Sequence, residues 1–219
     1  MPDPLPIPIA AFSLVVAVLS LGVSAATAWL SLFRRGTVRM TQPTVIFLGP
    51  DTPRSPEEPT LPKVYLRTLL VSTSRRGRVI ESMHVALSRN ETHQNFNIWV
   101  YGERDQLMRG SGLFVGENGI AANHHFLMPR DSSSFQFTEG QYRLDVVAHL
   151  LGDRKPTVLF SQELTITRDL AAALAIVGTG LYFDWGPDSG RYLPHVDKRP
   201  PLPDLEDVIG VLAPRPGKG

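Results

Sequence analysis

A long stretch without a charged residue runs from Ile9 to Phe33, and it constrains the architecture of this chain more than any other feature. As a helix, its roughly 25 residues would extend about 38 Å, enough to cross a hydrocarbon core of about 30 Å. A helix satisfies its own backbone hydrogen bonds, as the bilayer interior demands of a spanning segment. We therefore predict a short N-terminal segment at 1–8, a transmembrane helix at 9–33 and a basic juxtamembrane linker at 34–43.

A cleaved signal peptide is the competing interpretation of this apolar stretch. Signal peptides carry a positively charged segment before an apolar core of about 7–15 residues. Here no lysine or arginine precedes the stretch, and the stretch is longer than a signal core. The sequence therefore favours a retained membrane anchor.

Charge asymmetry around the anchor predicts its orientation. Asp3 lies before it, whereas Arg34, Arg35 and Arg39 follow it closely. The positive-inside rule places these arginines in the cytoplasm, and we expect them and Trp29 at the membrane interface. The predicted localisation is the inner (plasma) membrane of a bacterial cell, single-pass, with the N-terminus outside and the C-terminal domain cytoplasmic. The alternative orientation would make the chain an envelope protein facing the periplasm.

Partners and cofactors are limited by composition. The chain has 22 Lys+Arg against 21 Asp+Glu, a balance that argues against a broad nucleic-acid surface. It has no cysteine, which excludes thiolate chemistry and cysteine-ligated metals. Phosphate-binding and dinucleotide glycine motifs are missing as well. We predict no cofactor, no metal site and no nucleic-acid partner; the predicted partners are the bilayer, another protein and, through the close spacing of Gly22 and Ala26, a second copy of the helix.

Between residues 41 and 167, short extended segments alternate with turn signals, and helical periodicity is absent. About eight such strands predict a mainly β, antiparallel sandwich at 44–167. The predicted strands are Thr44–Leu48, Lys63–Thr73, Val79–Leu87, Phe96–Tyr101, Leu113–Val115, Ile120–Met128, Tyr142–Leu150 and Val158–Ile166.

One run within these strands, Gly140-x-Tyr142-x-Leu144-x-Val146, resembles the tyrosine corner of immunoglobulin-like and fibronectin-III-like sandwiches. The resemblance implies that the Tyr142 hydroxyl bonds back to the backbone just upstream, and that one more strand follows. It is a likeness to a widely used fold, without the cysteine pair of antibody domains, and such folds do not determine function.

The C-terminal part divides into a segment at 168–196 and a proline-rich tail at 197–219. Thr167 is a suitable cap for a short helix, with Asp169 in its first turn. An aromatic loop rich in glycine, proline and aspartate should follow and pack on the sandwich, and the tail composition predicts disorder. This loop has two interpretations, a structural cover for a sheet or an exposed binding surface. As a binding surface it would use Tyr182, Asp184, Trp185, Asp188, Arg191 and Tyr192.

Catalytic motifs are scarce. His124 and His125 are adjacent, so on a strand they should point to opposite faces, which disfavours a shared metal ion. We therefore predict a membrane-tethered, non-enzymatic interaction or scaffolding module that presents its β domain to a protein partner. The alternative is a membrane-anchored ligand sensor or hydrolase with a pocket near Asn123–His125.

Overall fold

The computed structural model describes residues 7–30, 35–51, 60–103, 106–129 and 135–198. Its main body is β structure in two antiparallel sheets, preceded by one apolar helix, as the sequence predicts. Outside the described residues lie positions 1–6 of the predicted segment at 1–8, positions 31–33 of the predicted transmembrane helix, Arg34, and the predicted tail at 197–219 from position 199 onward.

The elements follow one another along the chain as two helices and thirteen strands in the described ranges. They are α1 (Ile7–Ala28), β1 (Val38–Met40), β2 (Val45–Pro50), β3 (Pro62–Ser72), β4 (Arg78–Arg89), β5 (Thr92–Phe96), β6 (Ile98–Gly102), β7 (Met108–Arg109), β8 (Leu113–Val115), β9 (Ile120–Leu127), β10 (Gly140–Leu150), β11 (Thr157–Ile166), α2 (Arg168–Leu174), β12 (Thr179–Gly186) and β13 (Arg191–Lys198).

Helix α1 has the length and composition of a membrane-spanning helix. Its 22 residues extend roughly 33 Å. The window Ala11–Ala28 has no charged residue and a mean hydropathy of 2.0, and none of it is buried against the rest of the chain. A signal sequence near an N-terminus would meet the same criteria.

The larger sheet has the strand order β13-β12-β2-β3-β9-β6-β7, with β1 also paired to β3. The smaller sheet has the order β11-β10-β4-β5, with β8 also paired to β4. Hydrogen-bonded neighbours are antiparallel in both sheets.

A single cluster of buried side chains includes residues from both sheets. Ile46, Leu66 and Phe126 come from the larger sheet, and Val85 and Leu144 from the smaller one; all five are fully buried. Strand alternation explains this, because every second side chain of each strand points to the same face. Burial of such a side chain contributes about 1.5–3 kcal/mol, so this cluster dominates the stability of the fold.

The predicted strand Phe96–Tyr101 is wrong as one element, because the chain changes sheets at Asn97. Phe96 ends β5 in the smaller sheet, and Ile98 begins β6 in the larger one. Both Phe96 and Trp99 are buried in the cluster, which an uninterrupted alternation would not allow.

Tyr142 is buried on β10, and its hydroxyl is bonded to the backbone four residues upstream. The hydroxyl donates to the carbonyl oxygen of Thr138 (2.9 Å) and accepts from its amide nitrogen (3.0 Å). These bonds hold the turn before β10 against the strand.

The C-terminal segment differs from the expected helix and loop. Helix α2 forms as predicted, with the Thr167 hydroxyl accepting from the Leu170 amide. The following residues form a hairpin of β12 and β13 instead of a loop, and β12 joins the larger sheet through β2. The predicted tail boundary at 197 therefore falls inside β13, where Asp197 and Lys198 pair with Gly180 and Thr179.

Candidate functional site

A line of aromatic side chains crosses the outer face of the larger sheet. Strand register aligns His195 on β13, Tyr182 on β12, Phe47 on β2, Tyr65 on β3 and His125 on β9. Their neighbours along each of the inner strands point into the core, so these rings point away from it. We refer to these five residues as the aromatic row.

Rings in the aromatic row pack against one another. Tyr182 and His195 are nearly parallel, with ring centroids 5.2 Å apart and an interplanar angle of 9°. The centroids of Phe47 and Tyr182, and those of Tyr65 and His125, are 4.8 Å apart. Tyr182 therefore has the parallel ring of His195 on one side and the tilted ring of Phe47 on the other, while the Tyr65 and His125 rings meet at 37°. The faces of the Tyr182 ring are thus partly covered by its neighbours in the row.

Phe47 is fully buried although it points away from the core. Its ring lies over two glycines of adjacent strands, Gly49 and Gly180. A Cβ atom added to Gly180 would lie 2.2 Å from Cε2 of Phe47, and one added to Gly49 would lie 2.6 Å from its Cζ. Because these two positions have no side chain, there is room for the Phe47 ring, which is the central ring of the row.

A polar network lies beside the row, two residues further along the strands. Arg67 donates to both carboxylate oxygens of Glu103 (2.8 and 3.0 Å) and to Oδ1 of Asn123 (2.9 Å). The Tyr65 hydroxyl donates to the same Asn123 oxygen (3.0 Å), which joins the network to the aromatic row. Burial raises the pKa of Tyr65, a shift that Arg67 partly opposes. The phenol is therefore a neutral donor at physiological pH.

A contact between His195 and Asp184 extends the polar groups to the edge hairpin. Nδ1 of His195 lies 2.9 Å from Oδ2 of Asp184, and each side chain is about half exposed. Such an exposed pair contributes little to stability, so its groups are available to a partner.

The six residues predicted as a binding surface separate onto both faces of the hairpin. Tyr182 and Asp184 point outward with the aromatic row, and Arg191 begins β13 on the same side. Asp188 lies in the exposed turn between the strands. One half of the predicted surface is thus part of the outer face.

Trp185 and Tyr192 belong to the other side of the hairpin and pack on each other, with ring centroids 5.2 Å apart. The Tyr192 hydroxyl donates to the Pro43 carbonyl (2.8 Å) and accepts from Nε2 of Gln42 (3.0 Å). Burial raises the pKa of Tyr192 to about 12, against a smaller opposing effect of Gln42. This pair attaches the hairpin to the sheet, which is a structural role.

His124 is fully buried beneath this face, while His125 is on the outer face, as the alternation of a strand predicts. Nε1 of Trp99 donates to its Nδ1 (3.2 Å), so Nε2 carries the proton. That Nε2 has no hydrogen-bond partner among the described residues. Burial, with a smaller effect of His125, lowers the pKa of His124 to about 4.

The pocket hypothesised near Asn123–His125 depends on where these three side chains point. Asn123 and His125 share the outer face, and His124 belongs to the core, so the three side chains do not converge. In the described ranges no group of three or more His, Asp or Glu side chains is arranged to hold a metal ion.

Residues predicted at the membrane interface are placed as follows. Trp29 follows α1 and is exposed, and Arg35 donates to the Gly152 carbonyl at 3.4 Å. Arg39 is part of β1, where it pairs with Val71, so the predicted linker at 34–43 is shorter than expected. The sheet begins at Val38.

Sequence reasoning missed the aromatic row because its members are far apart along the chain. Tyr65 and Arg67 alternate with apolar residues in β3, which indicates that they point away from the core. Phe47 gives no such signal, because it lies between Ile46 and Leu48 in an apolar run.

No protein-family model matches this chain, and no curated protein matches it either. Its function is therefore argued from the geometry of the outer face.

Proposed function

We propose that this chain is a single-pass membrane protein whose β domain is a non-enzymatic binding module for a protein partner. The observation that carries the proposal is the outer face of the larger sheet, where the aromatic row adjoins the Arg67–Glu103–Asn123 network. Tyrosine and arginine are the residue types most enriched at energetic centres of protein interfaces. Here they are held in place by strands instead of loops, so little conformational entropy is lost when a partner binds.

The packing of the rings supports a protein partner over a flat ligand. A ligand that stacks on an aromatic ring, such as a nucleobase, needs a free ring face. Tyr182 lies between the rings of His195 and Phe47, so its ring faces are partly covered. The hydroxyl groups of the two tyrosines and the side chains of Asp184 and His195 suit hydrogen bonding to a polypeptide surface.

The shared core and the Tyr142 bond support an immunoglobulin-like sandwich as the fold of this module. A hydroxyl bonded to the backbone a few residues upstream, at the start of a late strand, is what a tyrosine corner requires. A Tyr142 hydroxyl turned away from Thr138 would overturn this likeness.

The length and exposure of α1 support its role as the anchor, and the arginines after it support a cytoplasmic domain. A tether confines the module to the membrane surface and raises its local concentration for a membrane-bound partner. Close approach at Gly22 and Ala26 gives a route to a homodimer.

Orientation has a direct test because the chain has no cysteine. Ser189→Cys, in the exposed turn of the hairpin, should react with a membrane-impermeant maleimide only after cell lysis. Labelling of intact cells would place the domain on the outer side of the membrane.

Site-specific photocrosslinking tests the binding face. Benzoylphenylalanine at position 125, on the outer face, should give a defined protein adduct in native membranes. The same probe at position 143, on the outer face of the smaller sheet, is the matched control and should give none.

Arg67→Ala should reduce the adduct about tenfold, equivalent to roughly 1.4 kcal/mol of binding free energy. Arg143→Ala, at a similarly exposed ion-paired arginine, should leave it unchanged. Equal adducts from both probe positions, or an unaffected Arg67→Ala, would reject the outer face as the site.

A further inference from the structure

An open cleft lined by three arginines lies at the end of the domain where the chain arrives from α1. Its volume is about 490 Å³. The lining residues are Arg35, Arg76, Gly77, Arg78, Leu151 and Gly152. They come from three separate parts of the chain, the start of the domain, the β3–β4 turn and the β10–β11 turn.

Chain connectivity keeps this cleft close to the end of the apolar helix. Arg35 follows Ala28, the last residue of α1, by seven positions. It is joined to the domain by its bond to the Gly152 carbonyl (3.4 Å), and the Thr37 amide donates to Oγ1 of Thr73 (2.8 Å). If α1 spans a bilayer, the chain keeps the cleft within a few residues of its headgroups.

The charge of the cleft is uneven. Arg78 is buried and donates to the Gly36 carbonyl (3.0 Å), the Leu151 carbonyl (3.3 Å) and the Asp153 carboxylate (2.8 Å). Asp153 thus balances the charge of Arg78, and Arg78 has a structural role in lining the cleft. Arg35 and Arg76 are exposed at its rim and provide the positive charge.

Exposed apolar side chains flank these arginines. Leu151 is 59% exposed, and Phe114 is 62% exposed although its ring lies against Gly77. A single exposed apolar residue is common on protein surfaces, but here two of them adjoin one basic cleft. Basic and apolar side chains in this combination suit the boundary between headgroups and acyl chains.

We propose that the cleft binds the phosphate of an anionic phospholipid headgroup, with Arg35 and Arg76 as donors and with Leu151 and Phe114 in contact with the acyl boundary. The planar guanidinium group matches the geometry of phosphate oxygens. The apolar flank favours a lipid over free phosphate, which would not use it. This inference rests on the proposed membrane anchor.

The test uses the full-length chain in lipid nanodiscs, with Leu151→Cys carrying an environment-sensitive bimane dye. Discs of phosphatidylcholine alone are compared with discs that also contain phosphatidylglycerol. We expect a blue shift of the emission only in the anionic discs, and a smaller shift at high salt because ions screen the attraction.

The double variant Arg35→Gln and Arg76→Gln should abolish this shift. Arg143→Gln, near the other end of β10, is the matched control and should retain it. Circular dichroism should be the same for all of these chains, because each changed arginine is exposed.

The outcomes separate the inference from the anchor. One contrary result is a chain that co-elutes with the discs but shows the same emission in both lipids, and another is a double variant that keeps the shift. Either result would reject lipid binding by the cleft and leave the anchor intact. Inorganic phosphate that reproduces the shift in phosphatidylcholine discs would assign the cleft to a free anion and overturn the lipid. A chain that does not remain in the discs would overturn the anchor, and the inference with it.

Discussion

At the scale of single residues, the buried imidazole of His124 makes the stability of the core depend on pH. Its Nδ1 accepts a hydrogen bond from Trp99 and its Nε2 has no described partner. A second proton would have to bind Nδ1, facing the indole N–H, and its charge would be buried without compensation. Its pKa of about 4 in the folded chain lies below the value of 6.5 for an unfolded histidine. The unfolded chain therefore binds more protons between these two values, and stability falls as pH falls through this range.

We expect the free energy of unfolding to decrease by up to about 3 kcal/mol from His124 alone as pH falls from 6.5 to 4. His124→Gln, which keeps an acceptor for Trp99 but does not titrate, should flatten the fall. Urea denaturation at several pH values measures both chains. Because burial also lowers the pKa of His84, the difference between the two chains isolates His124. Parallel curves would contradict a neutral, buried His124.

At the scale of elements, β12 depends on a glycine for its contact with β2. Gly180 has no unusual backbone angle that requires glycine; the reason is the Phe47 ring, 2.2 Å from where a Cβ would be. Gly180→Ala should displace Phe47 and cost about 1–3 kcal/mol in unfolding free energy, as overpacking does.

The matched control is Gly116→Ala, where the nearest atom to a new Cβ is 3.7 Å away and belongs to Phe114. Thermal and urea denaturation should show little change there. A Gly180→Ala chain as stable as this control would mean that Phe47 is not tightly seated, and the aromatic row would lose its centre.

The strands that the sequence predicts well are those buried on one face. In β3 and β10, alternate side chains enter the core, and the pattern is visible without a structure. Strand β13 gives no such pattern, because it is the last strand of its sheet and is exposed along nearly its whole length. The turn Pro187–Gly190 before it then makes the segment resemble a loop.

The aromatic row is unpredictable for a different reason. Its members are individually ordinary strand residues, and only the register of five strands brings them into line. A shift of one residue in any pairing would turn that strand's ring to the other face. The sequence predicts Tyr182 and Asp184 as binding residues because they cluster locally, but it does not indicate that Tyr65 and His125 join them.

At the scale of the whole molecule, the two proposed surfaces are well separated along the larger sheet. Ser72 ends β3 at the turn that leads to Arg76, and Tyr65 lies seven residues away, roughly 23 Å at 3.3 Å per residue. With the arginine cleft against headgroups, the aromatic row would stand clear of the bilayer. The same domain would then bind lipid at one end and a protein near the other.

Retention of α1 in the bilayer is the premise of both surfaces, and alkaline carbonate washing of native membranes tests it most directly. The mass of the chain is measured in the pellet and in the supernatant after the wash. We expect the uncleaved polypeptide of 24.2 kDa in the pellet. Release of the chain into the supernatant, or recovery of a chain shortened by its apolar N-terminal helix, would contradict the account.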